Sequence, residues 1–141
     1  MSDLRPCFEA EKTRFEIIIS FGWTTPALLA GVKTVTRRDW APQHAAKFKA
    51  GMLVDAWNTS PRNVRGDPHK IATIRILASP YIENTAEALE SDFEAEGFYY
   101  LAQRGLRIDG LTPDTLWNLW HLPAAAHDLY VVRFELVEVC Q

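Results

Sequence analysis

The sequence has 141 residues and no apolar run of about 18, so it offers no transmembrane helix. Cysteine is scarce: Cys7 and Cys140 lie near opposite ends of the chain. The acid-bearing opening stretch MSDLRPCFEAEKTRF has no apolar segment of the signal-peptide kind. The expectation is therefore a cytoplasmic protein with reduced thiols, a disulfide tying the two ends of the chain together being the alternative. The four histidines, His44, His69, His121 and His127, form no His-x-x-x-His pair, and there is no Cys-x-x-Cys, so neither a metal nor another cofactor is expected. The absence of a glycine-rich phosphate loop and of Gly-x-Gly-x-x-Gly excludes nucleotide binding by those routes. The absence of Gly-x-Ser-x-Gly excludes a serine nucleophile on an elbow of that kind.

What is present is an ordinary globular balance, 48% hydrophobic and 23% charged. The length fits one domain over residues 1–141, able to bury a core without disulfides or metal. The net charge of −3 conceals an asymmetry. Residues 31–75 carry nine basic groups (Lys33, Arg37, Arg38, Lys47, Lys49, Arg62, Arg65, Lys70 and Arg75) against three acids, a local net of +6. The remainder is strongly acidic. A basic segment in an acidic chain is either an anion-facing surface or a solvated stretch balanced by nearby acids.

Hydrophobic periodicity lays out the elements. FEIIIS (15–20) reads as a buried strand, followed by a short helix from Pro26 to Ala30 that Gly31 terminates. KTVTRRDW (33–40) alternates as a strand does, with Thr34, Thr36 and Arg38 on one face and Lys33, Val35 and Arg37 on the other. A short helix over 42–49, a strand MLVDAW ending at Trp57 and a strand KIATIRI from Lys70 follow. Between them, residues 58–69 form a loop rich in turn formers and arginine, either functional or a plain surface insertion. A single helix is predicted from Asn84 or Thr85 to about Arg104, with Ala86, Leu89, Phe93 and Tyr100 as its apolar stripe and Glu96 at the stripe's edge. Glu87, Asp92 and Glu94 fall outside the stripe, where solvated acids belong. A helix from Thr112-Pro113 carries Trp117 and Trp120 against the core, and LYVVRFELVEV closes the chain as a strand. Strands at both ends with helices between give an α+β fold, with a small curved sheet or barrel favoured over a doubly wound sheet.

The segment LLAGVKTVTRRDW (28–40) carries a block Gly31-Val32-Lys33-Thr34-Val35-Thr36-Arg37-Arg38. Downstream come GMLVDAW, KIATIRI, DFEAEGF and DLYVVRFELV, in that order. This series resembles the ASCH family of the PUA-like superfamily over roughly residues 15–138. The resemblance implies a small β-barrel with flanking helices and a cleft at whose mouth the lysine–threonine block lies. Small stand-alone members of that family include amidohydrolases that remove the acetyl group of N4-acetylcytidine. Matched motif by motif, their lysine, threonine and glutamate fall on Lys33, Thr36 and Glu96. Other members act as RNA-binding modules, and ribonuclease activity also occurs in the family. The arginine-bearing loop 58–69, the tryptophan-bearing stretch 105–123 and Arg37 before Arg38 depart from the compact hydrolases.

The resulting expectation is an amide hydrolase in which Thr36 attacks, Lys33 is the base and Glu96 shuttles the proton; the alternative is an RNA-binding module without turnover, or a ribonuclease. Its partner is a modified nucleoside or RNA. A Lys33–Glu96 pair that only fixes the helix to the barrel is the structural alternative for those two residues. Arg38, Arg62, Arg65 and Lys70 are predicted to line one side of the cleft, and Trp40 or Trp57, with Trp23 as a third candidate, to stack on a base.

Overall fold

The computed structural model describes residues 17–140. Six strands and five short helices alternate irregularly: β1 (Ile18–Ser20), α1 (Thr25–Leu29), β2 (Val35–Arg38), α2 (Pro42–Ala45), β3 (Leu53–Trp57), β4 (Lys70–Ile76), β5 (Tyr81–Asn84), α3 (Ser91–Ala95), α4 (Phe98–Gln103), α5 (Pro113–His121) and β6 (Asp128–Val139). The α+β expectation holds, with a mixed six-strand sheet curled strongly into a half-barrel.

The strand order is β1-β3-β4-β6-β2, and β5 also pairs with β6. Only β1 with β3 is parallel. β6, the 12-residue strand that closes the chain, is the spine. Its first half pairs with β2 and β5, and its second half with β4. Register shifts interrupt β3–β4 at Ala56/Trp57 and β4–β6 at Thr73/Ile74. Such bulges sharpen twist and bend a strand, which helps this sheet to curl. The concave side holds the core: Ile19, Phe21, Leu28, Phe48, Val54, Ile71, Ile74, Ile76, Val132 and Phe134, with small Ala56 and Ala72 between them. Each large apolar side chain there contributes about 1.5–3 kcal/mol by leaving water.

Alternation along paired strands divides β2 cleanly. Thr36 opposes Val132, a core residue, whereas Val35 opposes Arg133 and Arg37 opposes Val131 on the convex side. Helices α3 and α4 bring Glu96 and Asp92 to Arg37 on that convex side, and Val35, Thr36 and Arg37 are all buried. β1 and β2 are the two ends of the strand order, and curling brings them across from each other without hydrogen-bonding them.

Three expectations are corrected. The helix predicted over residues 84–104 is three pieces: a 3-10 turn at Thr85–Glu87, then α3 and α4, separated by Gly97 at φ +88°. Leu89, assigned to the apolar stripe, is exposed, and Asp92, assigned to solvent, is buried. The sequence reading had no strand at β5, whose four residues sit at a partly exposed position against β6. Phe15 and Glu16 of the first predicted strand lie outside the described residues. Cys140 is disulfide-bonded rather than a free thiol, and its partner lies outside the described residues. No helix among the described residues is long and apolar enough to cross a membrane.

Candidate active site

The site begins with the turn after α1. Proline in the first turn starts this five-residue helix, and Gly31, at φ +80°, ends it. The amides of Val32 and Lys33 both donate to the Ala27 carbonyl at 3.2 Å, and Thr34 N–H donates to Ala95 O at 2.7 Å. Lys33 is thereby pinned between α1 and the α3–α4 corner. Gly97 makes that approach possible. A Cβ there would stand 2.5 Å from the Ala27 Cβ and 3.4 Å from the Lys33 Cβ. Its positive φ also turns the chain sharply, leaving Glu96 as the C-cap of α3 and aimed at the lysine.

Lys33 is 1% exposed and Glu96 3%. Lys33 Nζ donates to Glu96 Oε1 at 2.9 Å and to the Glu96 carbonyl at 2.8 Å. The other carboxylate oxygen, Oε2, accepts from Arg37 Nη1 at 2.7 Å. Arg37 Nη2 then donates to Asp92 Oδ2 at 2.6 Å and to Glu83 Oε1 at 2.8 Å. Arg133 closes the chain of charges with a two-point contact to Asp92, at 3.0 and 2.9 Å. Buried charges require partners of this kind, and removing one member strands the rest. The Lys33 ammonium is held below its ordinary range: burial depresses it most, Arg38 and Arg37 add to the effect, and Glu96 opposes it. Burial also works against Asp92, yet the bonds from Arg133 and Arg37 win and hold its carboxyl below the ordinary value of 3.8.

Thr36, 4% exposed, faces the concave side. Its Oγ1 accepts from Arg38 Nε at 3.0 Å. Among the described residues no hydrogen bond joins it to Lys33 or Glu96. Burial lowers the Arg38 guanidinium to about 10. This cation still carries its charge at neutral pH, and it lies over the Phe21 ring at 5.4 Å. An arginine that donates to a hydroxyl oxygen favours the alkoxide form of that hydroxyl.

These groups floor a cavity of about 320 Å³. It opens in the gap between the two edge strands, with Ser20 and Phe21 on one side and Thr36, Arg37 and Arg38 on the other. Lys33 and Glu96 lie at its base, and Trp23, Phe98, Ile108, Leu116 and Trp120 wall it. Its size is at the lower end for small-molecule sites, and a few polar groups converge within apolar walls. No protein-family model, curated protein or solved structure matches this chain. The function must be read from this cavity.

Of the residues singled out in the sequence, the structure brings together Lys33, Thr36, Glu96 and Arg38. Lys70 does not join them: it pairs with Asp55 at 3.0 Å across the β3–β4 ladder. Arg62 and Arg65 are exposed on the 58–69 loop and do not line this cavity. Trp40 stacks on Phe48 at 4.7 Å against the core, and Trp57, half-buried, is not among the residues lining the cavity. The aromatic ring free to stack is Trp23, 60% exposed at the cavity mouth. Trp117 and Trp120 pack on Phe93 and Phe98 of the helical layer, rather than on the sheet, and Trp120 becomes a cavity wall.

The sequence reading missed Asp92, Arg133 and Trp120. The spacing of Asp92 and Glu96 was a usable signal, because acids four apart share one side of a helix and point to one partner.

Proposed function

We propose that this protein is an amide hydrolase of the ASCH, PUA-like type, acting on N4-acetylcytidine or a closely related acylated nucleoside. The observation that carries the reading is the buried Lys33–Glu96 pair at an aromatic-walled cavity that Thr36 also lines. A planar base fits between such walls, and the cavity is too small to take a folded RNA element.

The chemistry then follows from the contacts. Lys33 acts as a base once its proton has passed to Glu96 across the 2.9 Å bond, and its lowered proton affinity favours that transfer. The Thr36 hydroxyl, already polarised by Arg38, loses its proton to Lys33 as its oxygen bonds to the acyl carbon. The carbonyl π pair moves to oxygen, giving a tetrahedral oxyanion. The amides around Gly31 cannot serve that oxyanion, because Gly31, Val32 and Lys33 all donate to Leu28 or Ala27. Arg38 can serve it, because neither of its Nη groups has a hydrogen-bond partner among the described residues. Collapse breaks the bond from carbon to the exocyclic amine, which leaves with a proton returned through Lys33. Water then cleaves the acyl-threonine ester, releasing the carboxylic acid and restoring the hydroxyl.

The test is a panel of acylated nucleosides and short RNAs assayed for both turnover and binding. Release of cytidine and acetate from N4-acetylcytidine is the expected result. Cleavage of RNA, or RNA binding with no hydrolysis of any acylated nucleoside, would replace this reading with the ribonuclease or the binding module.

A further inference from the structure

A second cavity adjoins the first. It has about 420 Å³ and is lined by Trp23, Thr25, Asn58, Thr59, Asn63 and Gly66, with Gly22 between them. Gly22 and Trp23 line both cavities, so the exposed indole stands as the partition between an apolar chamber and a polar trough. The trough is built by the 58–69 loop. Gly22 N–H donates to Asn58 O at 2.9 Å, which ties the base of that loop to the end of β1. Asn58 organises the loop from inside, donating to the Gly66 and Asp67 carbonyls and accepting from the His69 amide. Asn63 Nδ2 donates to Thr59 Oγ1 at 3.0 Å.

The chain neighbours of two trough residues are charged. Arg62 precedes Asn63 and Arg65 precedes Gly66; both are exposed, and neither has an acidic partner among the described residues. The loop's single acid, Asp67, faces His69 at 3.9 Å. An acidic protein that holds two unpaired arginines beside a trough of amides and hydroxyls presents a site for a polyhydroxylated, anionic group.

We propose that the trough is a ribose-phosphate subsite: the substrate is a phosphorylated ribonucleoside whose base enters the inner cavity past Trp23, and whose sugar and phosphate lie along the 58–69 loop, held by Asn63, Arg62 and Arg65. The identity of the base rests on the hydrolase reading above; the phosphate preference rests on the trough alone. The phosphate can belong to a mononucleotide or to a strand of RNA.

The experiment titrates the intact protein with cytidine, cytidine monophosphate and a short cytidine-rich oligonucleotide, by calorimetry at low and high salt, with N4-acetylcytidine turnover measured alongside. The monophosphate should bind about tenfold more tightly than cytidine, and added salt should erode that advantage. A mononucleotide source predicts that the oligonucleotide binds no better than the monophosphate; an RNA source predicts that it binds better. Arg62→Ala with Arg65→Ala should abolish the advantage, whereas removing two positive charges elsewhere, at Lys47 and Lys49, should leave it in place. Gly66→Ala, whose Cβ would meet Asn63 Nδ2 at 2.6 Å, should weaken monophosphate binding by displacing that amide. Equal affinities for cytidine and its monophosphate, no binding of either, or an advantage that survives the double arginine substitution would overturn the subsite. Phosphate-dependent binding with no hydrolysis of N4-acetylcytidine would sustain the subsite and remove the hydrolase reading; hydrolysis without phosphate preference would do the reverse.

Discussion

Two basic regions of this molecule look alike in composition and differ completely in physics. Lys33, Arg37 and Arg38 lie in and beside an edge strand, and their charges are taken from water and matched to Glu96, Asp92 and Glu83 or set over an aromatic ring. Arg62 and Arg65 stand on a loop in water with no acidic partner among the described residues. A count of charges treats the two regions as one +6 segment. Burial separates them into a desolvated network of paired charges and a solvated surface whose charges face water. The first is where substitution should damage both folding and chemistry. The second should tolerate change structurally while altering what is recruited.

The sharpest expected contrast is in turnover. On the proposed mechanism, Lys33→Ala, Thr36→Ala and Glu96→Ala should each lower kcat/KM on N4-acetylcytidine by about 10³-fold, and the double variants should lose little more than the singles, as expected of three groups that work as one unit. Full additivity in the doubles would break the unit into independent parts. In stability the contrast continues. Glu96→Ala leaves the buried Lys33 ammonium without its carboxylate and Arg37 Nη1 without its acceptor, and should cost about 3–5 kcal/mol in chemical denaturation at pH 7. A loss as small as that of a surface substitution would mean that the pair is not desolvated as described.

Asp92 gives the comparison a pH axis. Its carboxyl is held below 3.8 in the folded state, so it binds fewer protons folded than unfolded as pH falls past that value. Its stabilisation is therefore complete above the unfolded value and is lost as pH drops through the folded one. Asp92→Asn should be less stable than the natural chain at pH 7, and the gap should narrow below about pH 3.8. A gap that does not change between pH 7 and pH 3 would contradict the network. The smallest effect belongs to the loop: Arg62→Ala with Arg65→Ala should move unfolding stability by no more than about 0.5 kcal/mol. A larger loss would show that these arginines have structural partners.

Much of this was legible in residues 28–40, where proline, glycine, a lysine and β-branched alternation encode a helix, a cap and a strand in sequence. The same local signals recovered β3, β4, β6 and α5, whose cap Thr112 accepts from Thr115 N as its sequence suggests. The helix of residues 84–104 was not legible, because periodicity over a 20-residue window cannot register a single glycine that must be left-handed for a tertiary reason, the close approach of Ala27. Glu96 is buried as its position at the edge of a stripe suggested, but for another reason: the continuous stripe does not exist, and what buries Glu96 is the break after α3. Asp92 looked solvated because nothing local reveals Arg37 and Arg133, which reach it from two strands far apart in the chain. The position of Trp23, rather than Trp40 or Trp57, at the cavity mouth depends on how far the half-barrel curls, a property of the whole sheet.

The most direct test of the central claim is hydrolysis of N4-acetylcytidine by the natural chain and by Thr36→Ala, followed as a function of pH. In the proposed mechanism Lys33 is a base only when neutral, a form that transfer to Glu96 supplies in part at any pH and that loss of the proton to water supplies in full; because Lys33 is held below its ordinary value of 10.5, kcat/KM should rise with pH to a plateau along a limb whose midpoint lies below 10.5. Thr36→Ala should fall by about 10³-fold across that limb. A Thr36→Ala variant as active as the natural chain, or a natural chain that releases no cytidine at any pH, would contradict the account.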